Sequence, residues 1–302
     1  MKDFLKTTLA VICGTLLTSA LFFFVVAGFF GSLLAFSEST PVLPKSGVLV
    51  VDMSKIVLSE QTKKSDPVSS LRGGNISAIG IWDAISAINT AAADPGVKYI
   101  YLKTDLNASG ISALEEFRKA LSDFRINSGK LVISYIESPS TGSYYLASVA
   151  DKVYMTSYLG ATTLVNGVSS QMIFLGDLLN RLGINVQLIK HGKYKSAGEM
   201  YTRSSSTPEN REQNQRMVDA LWEVISSDIA ESRGLDIEDV NSAVNDLKLN
   251  LPEDFLRCGF VDELMTSEQL EDKLAALAMA DNFKDVSMIP FSDYVAVKTA
   301  VS

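Results

Sequence analysis

The first pattern along the chain is an unbroken apolar one. From Thr7 to Phe36, thirty residues dominated by Leu, Phe, Val, Ala and Gly, no side chain is charged. At about 1.5 Å per residue in a helix, such a stretch outreaches the ~30 Å hydrocarbon core of a bilayer. It is longer than the apolar region of a cleaved signal, and Ser32 to Ser37 offers no small-x-small cleavage site. The pattern therefore predicts a transmembrane anchor over 7–36, preceded by a short cytoplasmic segment, 1–6. Residues 37–46 (SESTPVLPKS) contain two prolines and no periodicity, and predict a linker.

After the linker, short apolar runs alternate with amphipathic ones. Gly47–Met53 (GVLVVDM), Val97–Lys103 (VKYIYLK), Lys130–Ile136 (KLVISYI), Lys152–Thr156 and Asn185–Lys190 have strand length and composition. Between them, Ile79–Ala93, Ile111–Phe124, Tyr144–Ala150 and Gln171–Leu182 show helical spacing. In the second of these helices Leu114, Phe117, Ala120, Leu121 and Phe124 share a face. Ser54–Asn75 is largely polar and predicts a loop. From Pro208 onward the pattern is helical, with Met217, Leu221, Val224, Ile225 and Ile229 on one stripe and a further helix over Ser267–Met279. Strands separated by helices predict an α/β fold with a mainly parallel sheet, right-handed crossovers and flanking helices, behind one N-terminal transmembrane helix.

Charge narrows the partners. The whole chain carries −8, and residues 1–36 contribute +1 through Lys2, Asp3 and Lys6, which leaves −9 for the rest. So acidic a domain has no electrostatic footprint for nucleic acid and is repelled by anionic lipid surfaces. Membrane contact is thus expected through the anchor alone. Lys2 and Lys6 before the apolar stretch and Glu38 after it put the N-terminus in the cytoplasm and the bulk of the chain across the membrane. Two cysteines, Cys13 and Cys258, and one histidine, His191, build no cysteine–histidine metal cluster, and no cofactor is expected.

The candidate chemistry is sparse. With a single histidine, a histidine-based triad has only His191 to draw on, and nothing in the sequence orients it. Glu115 and Glu116, beside Arg118 and Lys119, read as the solvated face of a helix. Asn107–Ser112 (NASGIS) is too short for a dinucleotide fingerprint, and no phosphate loop is present. Two segments remain. Gly192–Glu199 (GKYKSAGE) offers Lys195 as a base, with Lys190 and Lys193 nearby and an apolar run before it. Burial and neighbouring positive charge are the two influences that lower a lysine pKa. Pro139–Ser148 (PSTGSYYLAS) follows a strand and opens a helix, which suits either a hydroxyl nucleophile or a simple N-cap from Ser140 or Thr141.

With these residues in place the chain resembles the signal peptide peptidase A (protease IV) family, membrane-anchored serine peptidases of the Clp protease/crotonase superfold. The resemblance runs from the anchor to Ser302 and rests on GVLVVDM, YIYLK followed by a turn at Gly110, TGSYYLASVADKVYMTS and GKYKSAGEMYTR. It implies that Lys195 is the general base of a Ser-Lys dyad, that substrates are hydrophobic signal-peptide remnants, and that members form homo-oligomers in the bacterial-type cytoplasmic membrane. It also implies a departure. Where single-domain members carry Ser-Gly-Gly-Tyr, this chain has Thr141-Gly142-Ser143-Tyr144. In the tandem-duplicated members the first half gives the lysine and the second the serine, so the resemblance implies a lysine-bearing first half. Residues 47–284 would form the peptidase domain, and 285–302 the start of a connection to a missing second half. The alternatives are a self-contained threonine–lysine peptidase using Thr141, and a non-catalytic module that binds peptides or scaffolds an oligomer. As a base, Lys195 is expected to be partly buried and not paired with Glu199.

Overall fold

Apolar runs that are buried on both faces belong in the middle of a parallel sheet, and four of them are there. The computed structural model describes residues 1–36, 41–62 and 76–299. Strands β1 (Gly47–Asp52), β4 (Val97–Lys103), β5 (Val132–Ile136) and β6 (Lys152–Thr156) lie side by side. Two three-residue strands, β7 (Glu263–Met265) and β8 (Met288–Pro290), flank them. The order is β7-β6-β5-β4-β1-β8, and every pairing is parallel. A separate parallel pair, β2 (Ile56–Ser59) with β3 (Ser77–Gly80), falls at the ends of the stretch expected to be a loop; the rest of that loop, 63–75, lies outside the described residues.

Alternation along the strands divides the core in two. Leu49, Val51, Ile100, Leu102, Val153 and Met155 face a layer built from α2 (Ile81–Ala93), α3 (Ile111–Ser128), α4 (Thr141–Ala147) and the long α7 (Pro208–Arg233). Val48, Tyr99, Tyr101, Ile133, Tyr135 and Tyr154 face the opposite way, toward α10 (Ser267–Leu277). Three shorter helices, α6 (Glu199–Thr202), α8 (Ile237–Asn245) and α9 (Pro252–Arg257), lie on either side of α7 in the chain. The chain steps from β1 to β6 in one direction with helices on the first face, then returns from β7 to β8 with α10 on the other. Reversing direction and face together keeps one crossover hand. Helix α3 ends at Gly129 in the left-handed region (φ 64°), where a side chain would be strained.

Four sequence expectations need correction. Residues 288–299 are part of the domain, not the beginning of a connection. β8 pairs with β1, and α11 (Phe291–Thr299) buries Phe291, Tyr294 and Val295, with the Tyr294 hydroxyl donating to Asp94 at 2.9 Å. Asn185–Lys190 forms no strand. Its alternation suits one, but a strand needs a hydrogen-bonding neighbour, and no described strand lies against it. The helix expected over Gln171–Leu182 shrinks to α5 (Gly176–Arg181). The amides of Leu175 and Gly176 donate to the Met200 and Arg203 carbonyls instead (2.6 and 3.2 Å), so helical bonding begins only after them. Arg118, read as solvated, is buried: α3 carries it on the same side as Leu114 and Leu121.

The N-terminal helix α1 (Lys2–Phe36) contains a span, Lys2–Gly31, long and apolar enough to cross a membrane, and that span is exposed. Residues 37–40 of the expected linker lie outside the described part.

Candidate active site

Strand ends and helix starts bring the two candidate segments into view. The chain leaves β5, turns through Pro139, and enters α4 with Ser140 as its N-cap. A reciprocal capping box closes the turn. The Ser143 amide donates to Ser140 Oγ (3.2 Å), and the Ser140 amide to Ser143 Oγ (2.8 Å). Both serine hydroxyls are therefore occupied in holding the backbone, and Ser143 is buried. Thr141, at the first helical position, is half-buried, and its Oγ1 accepts a hydrogen bond from the Asn166 amide (3.2 Å). Asn166 reaches it because Leu164 lies alongside Ser140 as a parallel bridge, with its amide donating to the Pro139 carbonyl (2.7 Å). Below the turn α4 is anchored by Tyr144, whose hydroxyl donates to the Phe260 carbonyl (2.6 Å) and whose ring stacks on Phe260.

The turn after β4 packs beside this one. The carboxylate of Asp105 accepts from the Glu137 and Ser138 amides (2.8 and 3.0 Å), tying the loops after β4 and β5 together. Asn107 Oδ1 accepts from the Ser109 amide, and Ser109 Oγ accepts from the Leu58 amide of β2 (2.9 and 3.0 Å). Gly110 then caps α3 with an ordinary φ of −68°, and a Cβ built on it would meet nothing within 4 Å. Neither its backbone nor its surroundings demand a glycine.

Lys195 sits elsewhere, on an arm running from Tyr158 to Thr207 that projects many apolar side chains into solvent, among them Ile173, Leu182 and Ile189. Gly192 turns the chain with φ 99°, and the Lys195 amide donates to its carbonyl (3.4 Å). The Lys195 side chain is exposed, against the expected partial burial, and it has no hydrogen bond to Thr141 or Ser143. Glu199 does leave Lys195 alone. It pairs instead with Lys190 at 3.3 Å and accepts from the Thr207 hydroxyl (2.8 Å), the Thr207 amide (3.2 Å) and Asn210 (3.1 Å), while being 1 % exposed. Burial alone would raise its pKa; the hydrogen bonds from Thr207, Asn210 and Lys190 outweigh it and bring the carboxyl down to about 2. His191 is exposed.

A family model for "Peptidase family S49" matches residues 125–281, a span that contains both Thr141 and Lys195. The chain belongs to peptidase family S49. Among curated relatives, it is 27 % identical over 272 residues to Protease 4 of Haemophilus influenzae, covering 85 % of this chain and 43 % of that protein. It is 26 % identical to the chloroplastic serine protease SPPA of Arabidopsis thaliana (69 % of this chain, 30 % of the relative). Against a putative protease of Methanocaldococcus jannaschii it is 28 % identical, over 66 % of this chain and 62 % of the relative. The S49 chain thus spans less than half the length of the Haemophilus and Arabidopsis proteins. S49 membership accords with the layered α/β architecture, which is ClpP-like. Sequence reasoning singled out the Lys195 segment and the α4 turn, and missed the contact between Asn166 and Thr141 and the burial of Glu199. The Thr207-Pro208 pair, a helix start signal, marks where the Glu199 partners lie.

Proposed function

We propose that this chain is the lysine-bearing half of a membrane-anchored Ser-Lys peptidase that degrades hydrophobic peptides such as cleaved signal peptides. In this reading Lys195 is the general base and the serine comes from a segment beyond this chain. The carrying observation is the division of the two candidate groups. Lys195 stands exposed on the arm, while the hydroxyl at the nucleophile position, that of Thr141, is engaged by Asn166 and has no lysine partner among the described residues. The lengths of the Haemophilus and Arabidopsis relatives support the same reading, since each has room for a second half.

Completion would also supply what Lys195 lacks. A lysine acts as a base only when neutral, and covering it with apolar surface favours the neutral form. The arm is suited to being covered: Ile184, Val186 and Leu188 alternate as a strand face that finds no partner among the described strands. A homo-oligomer, or the second half, would pair with it. In the assembled site the lysine Nζ takes the serine proton as the oxygen attacks the peptide carbonyl, then gives that proton to the departing amine. Gly110, which the fold itself does not require, leaves room for an extended substrate backbone to approach. The anchor α1 would hold the domain on the outer side of the cytoplasmic membrane, beside its substrates.

The test is turnover of a fluorogenic hydrophobic peptide by the full chain in detergent, with Lys195→Ala and Thr141→Ala beside it. The expected result is no turnover by any of the three, and turnover that depends on Lys195 once a serine-bearing second half is added. Activity of the chain alone that Thr141→Ala abolishes would replace this reading with a threonine–lysine peptidase. Full activity of Lys195→Ala in the completed enzyme would remove the lysine from the mechanism.

A further inference from the structure

The sheet face that carries α10 has a cavity of its own, apart from Thr141 and Lys195. It has a volume of about 440 Å³ and opens at the C-terminal ends of β1, β4 and β5, beside α10. Outside such strand ends is where open α/β sheets bind ligands. Register sets the floor: Asp52 pairs with Lys103, and Lys103 with Tyr135, so the three form a row across three strands. A second hollow of about 280 Å³ continues past this row, sharing Asp52, Lys103 and Phe283, and is floored by the apolar Val50 and Met288.

Tyr135 is the anomaly. It lines the cavity and is only 5 % exposed, yet its hydroxyl has no hydrogen-bond partner among the described residues. Buried polar groups are ordinarily paired, and the phenols of Tyr99 and Tyr144 are. Tyr99 donates to the Leu274 carbonyl at 2.8 Å and Tyr144 to that of Phe260 at 2.6 Å. The charge of the cavity is equally one-sided, with the carboxylates Asp52, Asp105, Glu137 and Glu271 against the single ammonium of Lys103. Lys103 is spoken for by Asp52 at 3.5 Å, and Asp105 by the two amides after β5. Glu137 and Glu271 have no ion-pair partner among the described residues. Burial first, then Tyr135 and the carboxylates of Glu137, Asp52 and Asp105, hold the neighbouring Tyr101 hydroxyl protonated well above its usual range.

We infer that this cavity binds a primary ammonium group carried on a short apolar chain, either the N-terminus of a peptide or a lysine side chain. The ammonium donates to the Tyr135 hydroxyl and to Glu137, whose charge it neutralises, and the apolar portion lies in the adjoining hollow against Val50, Phe283 and Met288. Nothing in this assignment depends on the peptidase reading, because neither Lys195 nor Thr141 lines either hollow.

Calorimetric titration of the full chain in detergent micelles tests it with three probes: leucyl-leucinamide, its N-acetyl derivative, and N-acetyl-leucyl-lysinamide. The free amine is expected to bind at least about tenfold more tightly than the acetylated dileucine, the lower end for hydrogen bonds to a charged group. Binding of the lysine probe as well would name the side chain as a second source; binding of the free α-amine alone would name the peptide terminus. Tyr135→Phe and Glu137→Gln should each weaken binding about tenfold. The first removes only an unpartnered hydroxyl and the second lies on an exposed turn, so thermal melting should report both as folded. Equal binding of the acetylated probe, no binding at millimolar concentration, or unchanged affinity in Tyr135→Phe would overturn the assignment. The last result is the one expected if water alone serves that hydroxyl.

Discussion

Glu199 is the residue whose removal the arm should feel most. It is a nearly fully buried carboxylate whose two oxygens take hydrogen bonds from Thr207, through both hydroxyl and amide, from Asn210 and from Lys190. Its carboxyl is brought from an ordinary 4.5 to about 2. At about 1.36 kcal/mol per pKa unit, that shift corresponds to at most roughly 3 kcal/mol favouring the closed arm. Solvent screening on the open side, where Lys190 enters, reduces that ceiling. The sign follows from the direction. A depressed carboxyl contributes fully above the unfolded pKa near 4.5 and loses its contribution as pH falls through about 2. The perturbation is Glu199→Gln, which keeps the shape and removes the charge. The assay is amide hydrogen exchange at Leu175, Gly176 and Arg203, whose N–H groups hold the arm together, with Ile100 in the sheet as the internal reference. At pH 7 the variant should open these amides up to about a hundredfold more often, with Ile100 unchanged. The difference between variant and wild type should shrink as pH falls from 4.5 toward 2. Equal protection of the two proteins at pH 7, or a wild-type arm as well protected at pH 3 as at pH 7, would refute the reasoning.

Two further outcomes follow from buried groups in the domain. Arg118, 5 % exposed, donates to the Tyr145 and Asp228 carbonyls and to Ser148 and Ser232, and its guanidinium lies 4.8 Å from the Tyr145 ring centroid. Arg118→Ala leaves those acceptors without their donor and should cost about 3–5 kcal/mol, read as a lowered denaturation midpoint with the same slope. Phe291→Ala, in the helix after β8, should cost about 3–5 kcal/mol in the same assay. A loss near zero would return residues 288–299 to the role of a connector.

Legibility in the sequence followed burial on two faces. β1, β4, β5 and β6 read clearly because each is a run of apolar residues bounded by turns, which is what a strand buried on both sides requires. β7 and β8, three residues each, are too short to carry a period, and their place in the sheet is set by distant partners. Asn185–Lys190 shows the converse. Its alternation is sound local evidence, but pairing is not a local property. Arg118 could have been found, since it falls four residues after Leu114 and three before Leu121, on the stripe that packs inward. The segment around Lys195 stands out in the sequence, whereas the exposure of its side chain does not, because nothing in the motif says what will cover it. The buried Glu199 gave no sign, as its partners Thr207 and Asn210 look in the sequence like an ordinary helix start.

The position of β8 governs how this domain can be made. The first strand of the sheet begins at Gly47, and its outer neighbour is completed only at Pro290. A chain emerging N-terminus first can assemble β1, β4, β5 and β6 in order, yet β1 keeps one bare edge until residues 288–290 have arrived. Contacts of such sequence separation are slow to form, and an unpaired central-type strand invites pairing with another chain. Any nascent or prematurely terminated product that stops before β8 would therefore carry an adhesive edge in the same chain as a long apolar N-terminal helix. Quality-control proteases would meet it as an unfinished sheet.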